Sequence, residues 1–480
     1  MTKIRTRFAP SPTGSLHIGS VRTVVFDYLL AKSKGGDFIL RIEDTDQKRQ
    51  IKGAIKNLIE ILDWLGIKFD EGPVVGGKFS PYIQTERLDI YKKYIDQLLK
   101  KGEAYYCFCS ENRLKGLRET QIKNKQAPRY DNHCRNLKPE EVEAKIKSGE
   151  KFVIRQKMPL GGKTEVFDEL RGKIEFDNKE LEDQILMKAN QIPTYQFASV
   201  VDDYLMEISD VIRGAEWIPS FPKNILLYKA FGWQSPRFIH IPLTMSPNGG
   251  KLSKRDGDTT VEDYRRKGYL PEALINFSAL LGWHPKDNRE IFTLEELVKE
   301  FSLKGMGVSS AVFDINKLKW INGEHIRKKS LKEFHKMALP YYKEFKKDLD
   351  FFEISRILQN RTEILSNIPE MIEFFNNLQK YNIDLFVNKK MKTDKQISLK
   401  ALEKSISVLE NIKNWNQETI KEKLLNLVEE IGCKNGQVLW PIRIALSGKQ
   451  FTPGGAIEIA FILGKEECIK RIKIGIEKLM

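Results

Sequence analysis

The sequence is poor in cysteine, in histidine and in long apolar stretches. Five cysteines in 480 residues are too few for a disulfide scaffold, so packing and hydrogen bonding must hold the cores. No apolar run reaches the roughly 18 residues that a membrane-crossing helix needs. The amino-terminal MTKIRTRFAPSP carries basic residues without an apolar signal core. These absences point to a cytoplasmic protein with no membrane partner. Acidic side chains are outnumbered 65 to 80, which leaves a net charge of +15. That balance suits a polyanionic partner, although a Lys-rich composition bias gives the same number. There is no internal repeat and no low-complexity tract. A hydrophobic content of 41% with 30% charged residues fits a globular chain able to bury real cores. The length implies about three or four domains.

Periodicity organises the first part of the chain. Lys3 to Ala9 reads as a strand, then a turn runs through Pro10 to Ser15. Leu16, Val21, Val24, Val25, Tyr28 and Leu29 repeat at helical spacing up to Gly35-Gly36. Phe38 to Ile42 predicts a second strand, Gln47 to Leu65 a helix stopped by Gly66, and Ile83 to Lys101 another helix. Strand, helix, strand, helix is the order of a parallel sheet with crossover helices. From Tyr105 to about Lys188 the pattern changes to cysteines, short alternating runs and Gly161-Gly162, which suggests an α+β insertion. Strand-like patterns resume between Pro193 and Val211, at Val200-Val201 and again from Glu207 to Ile212. Beyond about Arg327 the chain reads as helical, polar and Lys-rich.

Two short stretches carry chemistry. In RFAPSPTGSLHIGS, Arg7 to Ser20, prolines and glycines bend the chain between strand and helix and keep side-chain bulk low. Backbone N–H groups at such a turn can approach a phosphate, and the helix N-terminus adds partial positive charge. Ser11 and Thr13 offer donors without bulk, Gly14 shapes the turn, and His17 opens the helix where a ring N–H can reach a phosphate oxygen. Gly19 leaves room for a flat base. Taken alone, the stretch reads better as an ordinary turn capped by Ser15, with His17 exposed and idle. The second stretch, GGKLSKR, places Lys251 and Lys254 in a Gly-flanked loop, two cations suited to a polyphosphate leaving group.

Together, HIGS (His17 to Ser20) and KLSKR (Lys251 to Arg255) resemble the two signatures of class I aminoacyl-tRNA synthetases. The departures are Ser20 for a second histidine and Arg255 for a final serine, variants that the glutamyl branch resembles closely. LRIEDTD (Leu40 to Asp46), PTYQFASVVDD (Pro193 to Asp203), VIRGAEW (Val211 to Trp217), LLGWHP (Leu280 to Pro285) and LWPIRIALSGK (Leu439 to Lys449) extend the resemblance to the bacterial glutamyl family over nearly the whole chain.

The resemblance implies a Rossmann-type α/β catalytic domain in two halves, 1–104 and 189–240, split by an acceptor-binding α+β insertion at 105–188. A stem-contact domain with the KLSKR loop would follow at 241–326, then an all-α anticodon-binding region at 327–480. It implies ATP, Mg2+, L-glutamate and tRNA(Glu) as partners. Arg7 and Tyr195 would hold the side-chain carboxylate of glutamate and Arg213 its α-carboxylate. Glu43, Ser11 and the Ala9 backbone would hold the ammonium. Ser199 stands where some relatives carry an amide. Arginine's planar donor fork fits a carboxylate and would leave a glutamine side chain mismatched. His17, Lys251 and Lys254 would act at the phosphates, with Thr13, Gly14, Gly19, Ser20, Ser253, Glu216 and Trp217 completing the nucleotide site. The α-carboxylate is already ionised at neutral pH, so attack on the α-phosphate needs positioning rather than a general base.

Cys107, Cys109 and Cys134 resemble the zinc-binding insertion of some relatives. A fourth ligand is missing: Asn136, a poor ligand, occupies the family position, and His133 could substitute only with geometry strained by its adjacency to Cys134, so a structural Zn2+ and a metal-free set of thiols are both open. In the helical half, Arg361 lies where some relatives read an anticodon base. Trp415 and Trp440 could stack on bases, with burial in the core the favoured role for each. A monomer is expected. Three alternatives stand beside the glutamyl reading: an enzyme that also charges tRNA(Gln), a small-molecule nucleotidyltransferase of the same superfamily, and a non-catalytic RNA-binding relative.

Overall fold

Strand β1 (Arg5–Phe8) is buried at all four positions although three of its side chains are polar. Such a strand is tolerable only if each polar group finds a partner. Arg5 pairs with Asp37 and Glu71, Thr6 Oγ1 donates to the Asp27 carbonyl, and Arg7 pairs with Asp203. These bonds join the strand to its surroundings from its first residue to the rim of the cleft. In this computed structural model residues 3–250, 252, 260–345 and 349–480 are described, and the chain divides into two units: 1–263 with 274–314, and 264–273 with 315–480.

In the first unit, helix α1 (Ile18–Lys32) is buried on most of its faces and takes Arg22 and Asp27 into the interior with its apolar residues. Strand β2 (Asp37–Leu40) runs parallel to β1 in the register Arg7↔Ile39. The predicted second helix begins later than its periodicity suggested: Gln47–Arg49 is a 3-10 turn, and α2 (Ala54–Trp64) starts after Gly53, whose φ of +83° favours glycine. The third opens with a 3-10 turn at Gln84–Arg87 before α3 (Leu88–Lys100).

The inserted segment carries β3 (Ala104–Cys107), the surface helices α4 (Glu111–Lys123) and α5 (Pro139–Lys147), then β4 (Val153–Gln156), the hairpin β5 (Lys163–Asp168) and β6 (Gly172–Asp177), and β7 (Ile185–Met187). Strands β3, β4 and β7 form their own antiparallel sheet. The hairpin instead joins the parallel sheet of the catalytic half through Asp168↔Phe238.

The stretch after Pro193 corrects the sequence reading. Val200-Val201 is not in a strand; Tyr195–Leu205 is helix α6. Tyr195, Ser199, Asp202 and Asp203 recur at helical spacing, which gathers their polar groups on one face. A strand would have sent Asp202 alone to the opposite face. The β-branched pair pointed the wrong way because burial overrode local propensity. Strand β8 (Asp210–Gly214), helix α7 (Phe221–Phe231) and strand β9 (Arg237–Ile241) follow, with β8 parallel to β9. Ser209 N–H donates to the Arg5 carbonyl at 3.0 Å and sets β8 beside β1. Phe197, Val211, Phe221, Leu227 and Phe238 lie in the core beneath this sheet.

The second unit is helical. Lys395–Glu410 packs against Asn435–Ser447 and Lys465–Leu479. Arg471 is fully buried there, donating to the carbonyls of Phe374 (2.6 Å) and Leu446 (2.7 Å) and pairing with Glu467. Trp440 is buried with its Nε1 on the Leu385 carbonyl, and Trp415 Nε1 donates to Ala460. Both tryptophans thus serve packing. Among the described residues no helix is long and apolar enough to cross a membrane.

Candidate active site

A cleft of about 1310 Å³ opens at the carboxyl ends of β1, β2 and β8, the edge where open α/β sheets bind ligands. The amino-terminal turn forms one lip. Pro10 accepts from Glu43 N–H and Pro12 from Ile51 N–H, so the turn is fastened to the segment after β2. His17 is the N-cap of α1, and its Nδ1 accepts the Gly19 N–H at 3.0 Å. With Nδ1 accepting, the ring proton of the neutral imidazole sits on Nε2. A Cβ at residue 19 would crowd His17 Nδ1 at 3.2 Å, so the glycine serves the cap directly. Ala9, Ser11, His17, Gly19 and Ser20 line the cleft; Thr13 and Gly14 are exposed and do not.

The opposite wall is a buried charge network. Arg7 offers Asp203 two bonds, of 3.0 and 3.4 Å. Arg41, absent from the expected site, is fully buried; its Nη2 reaches Glu43 Oε1 at 2.9 Å and Asp203 Oδ1 at 2.8 Å. Burial works against the Asp203 charge, but the two arginines outweigh it and hold its carboxyl below the usual range. Glu43 is different. Its Oε2 has no hydrogen-bond partner among the described residues, and burial pushes its carboxyl up to about 7 despite Arg41 and Arg7. Glu43 therefore presents a desolvated oxygen to the cleft that a cation would satisfy.

Arg213, at the end of β8, is buried, rests over Phe238 at 5.0 Å, and has an Nη2 unpartnered among the described residues. Burial first, and then Arg7, lower its pKa. Two arginines, each with one edge held by protein, thus line the cleft with Glu43. Tyr195 packs on Trp217 with centroids 4.8 Å apart, and burial followed by Glu43 raises its phenol to about 12. Glu216 and Trp217 line the cleft on a 3-10 turn. Ser199 lies behind Arg41, accepting from its Nη2 at 3.5 Å, and is not on the cleft wall. Asp27, also missed in the sequence, lines the cleft with both carboxylate oxygens buried and, among the described residues, unpartnered.

Lys251, Ser253 and Lys254 lie outside the described residues. Leu252 and Thr260 are described. Leu252 lines the cleft, and its N–H donates to the Thr244 carbonyl. Thr260 forms an antiparallel bridge with His17, and Val261 N–H donates to Leu16. Two segments some 240 residues apart in sequence thus meet at the first motif. Arg361 is exposed in the helical unit, at the end of a 3-10 turn.

The ligating atoms of Cys107, Cys109 and Cys134 lie within 4.8 Å of one another. The Tyr130 hydroxyl stands among them, 3.2 Å from Cys107 Sγ and 3.7 Å from Cys109 Sγ, and accepts the Cys134 N–H. Neither expected fourth group makes these contacts. Nothing in the spacing of Tyr130 marked it; the loop brings it in.

The comparisons with known proteins define the class first. Residues 3–320 match the tRNA synthetases class I (E and Q) catalytic domain, residues 333–476 match an anticodon binding domain, and the chain belongs to this class. It is 54% identical to a glutamate–tRNA ligase of Clostridium tetani over 478 residues, 99% of this chain and 98% of the relative. It is 52% identical to that of Clostridium acetobutylicum, covering 99% of each. A crystal structure of a glutamate tRNA ligase from Elizabethkingia meningosepticum in complex with its amino acid is 37% identical, with a TM-score of 0.89 and full coverage of both chains. Within class I, its family is that of the glutamate–tRNA ligases.

Proposed function

We propose that the chain activates L-glutamate with ATP and transfers it to the 3′-terminal adenosine of tRNA(Glu). The observation that carries the reading is the open oxygen of Glu43 on a cleft wall shared with Arg7 and Arg213. Such a site suits a molecule with one ammonium and two carboxylates. Arg7, fixed by Asp203, and Tyr195 take the side-chain carboxylate; Arg213 takes the α-carboxylate. Glu43 takes the ammonium with Ser11 and the Ala9 carbonyl. An α-carboxylate oxygen attacks the α-phosphorus, the bond to pyrophosphate breaks, and glutamyl-adenylate forms. His17 donates from Nε2 to a phosphate oxygen, while Lys251 and Lys254 neutralise the departing pyrophosphate. The seating of Leu252 and Thr260 at the cleft supports that role for the lysine loop. Mg2+ would arrive with ATP and shield its phosphates. Gly19, Ser20, Glu216 and Trp217 surround the adenosine. The terminal ribose hydroxyl of tRNA then attacks the anhydride carbonyl and AMP leaves.

In this reading residues 105–188 receive the acceptor end, 241–326 contact the stem, and 327–480, with Arg361, bind the anticodon arm. Cys107, Cys109, Cys134 and the Tyr130 hydroxyl would together hold a structural Zn2+, which supplies only cohesion to the insertion. The protein acts as a cytoplasmic monomer, and its five free cysteines suit a reducing compartment. The full-length match to ligases does not favour the small-molecule nucleotidyltransferase or a non-catalytic relative. Charging assays on purified tRNA(Glu) and tRNA(Gln) test the proposal. Glutamyl-tRNA(Glu) is the expected product, and failure to charge it with all substrates present would refute the assignment.

A further inference from the structure

The Arg213 side chain is held from behind by two residues that no motif singled out. Its Nε donates to His240 Nε2 at 3.0 Å. His240 Nδ1 lies 2.7 Å from Asp168 Oδ2, which also accepts the His240 backbone N–H at 2.9 Å. Asp168 Oδ1 accepts the backbone N–H groups of Leu170 and Arg171. The Asp168 and His240 side chains are wholly buried.

This geometry leaves one arrangement of protons. Burial opposes the charge on Asp168, but His240 and the backbone donors outweigh it, so its carboxyl stays below the usual range. An ionised Asp168 only accepts, so Nδ1 of His240 carries the proton. Nε2 then keeps its lone pair and accepts from Arg213. Burial first holds the ring neutral; among its charged neighbours Asp168 opposes that, while Arg213 and Arg171 reinforce it. An imidazolium would set N–H against N–H at Arg213. The rings of Phe221 and Phe238 flank both His240 and the Arg213 guanidinium.

We propose that Asp168 and His240 are positioning residues for the amino acid: they fix the guanidinium plane of Arg213 so that its unpartnered Nη2 meets a carboxylate in the cleft. The proposal rests on Arg213 being the carboxylate ligand, as read above. Asp168 ends β5, a strand of the inserted segment, and reaches His240 through the pairing of β5 with β9. The orientation of the amino-acid site therefore depends on how that hairpin docks.

The test is ATP–pyrophosphate exchange, in the presence of tRNA, with the full-length chain. His240→Asn can still donate to Asp168 but offers Arg213 nothing at the Nε2 position. His240→Gln restores an acceptor there. The expected result for His240→Asn is a rise in the KM for glutamate of about tenfold or more, the scale of one lost bond to a charged group. The KM for ATP should stay within about twofold, and His240→Gln should recover most of the loss. Equal rises in both KM values, or an unchanged glutamate KM in folded His240→Asn, would overturn the proposal. Should His240→Asn not fold, Asp168→Asn gives the same comparison: a glutamate-specific rise supports the proposal and an unselective one overturns it. Arg213→Ala separates the two levels. If that variant leaves the glutamate KM unchanged, the reading of the pocket has failed; if it raises it while both relay variants behave as the parent, only the relay has.

Discussion

Arg41 grips one oxygen of Glu43 at 2.9 Å and leaves the other open. A buried arginine at the end of β2 thus orients a carboxylate without neutralising all of it. The open oxygen is the half that a substrate ammonium would complete, at a cost of desolvation already met in the folded protein.

Glutamate binding should therefore depend on pH through Glu43. Its carboxyl titrates at about 7, so it loses the charge that attracts the ammonium as pH falls through that value. One pH unit below it, the ionised fraction is about a tenth, and the KM for glutamate should rise by about tenfold. Glu43→Gln should raise the KM at neutral pH and flatten this dependence. Exchange kinetics between pH 6 and 8 check both statements.

Asp27 should make the fold less stable as pH rises. Burial pushes its carboxyl well above the ordinary value, Arg7 only partly opposing it. The folded state then holds the proton more tightly than the unfolded chain. Its stabilising contribution is complete below the unfolded value of about 3.9 and is lost as pH rises through the folded one. Asp27→Asn removes this linkage. In thermal melts its gain in Tm over the parent should be larger at pH 8 than at pH 5.

Gly36 should tolerate no side chain. A Cβ there would collide with the Ile4 carbonyl, 2.9 Å from its carbon, just before the strand that carries Arg7. Gly36→Ala is expected to cost about 1 to 3 kcal/mol in denaturant unfolding, the range of overpacking.

The thiol cluster should bind about one zinc per chain in protein purified without added metal. Cys109→Ser should abolish retention. Tyr130→Phe should weaken it while leaving the three sulfurs in place. Elemental analysis after dialysis against a chelator checks all three.

The amino-terminal part of the first unit was legible because its periodicities are strong: β1, α1 and β2 fall where the spacing put them. The turn to His17 was legible too, since proline and glycine there have few other uses. Helix α6 was not, because Val200-Val201 is strand-like locally and only the distant partners of Asp202 and Asp203 reveal the helical face. Arg41 and Asp203 sat within quoted stretches, but their pairing spans some 160 residues and no spacing predicts it. Tyr130, Asp168 and His240 act through contacts that tertiary folding alone creates. A single sequence shows which residues can do chemistry; it does not show which of them hold the others in place.

The central claim is that the amino-terminal turn, the lysine loop and the Glu43 pocket serve one reaction on glutamate. ATP–pyrophosphate exchange by the purified chain tests it most directly, with glutamate, glutamine or no amino acid, each with and without tRNA(Glu). Exchange is expected with glutamate and not with glutamine, and is greatest when tRNA(Glu) is present. Exchange indifferent to the amino acid, or none under any of these conditions, would contradict it.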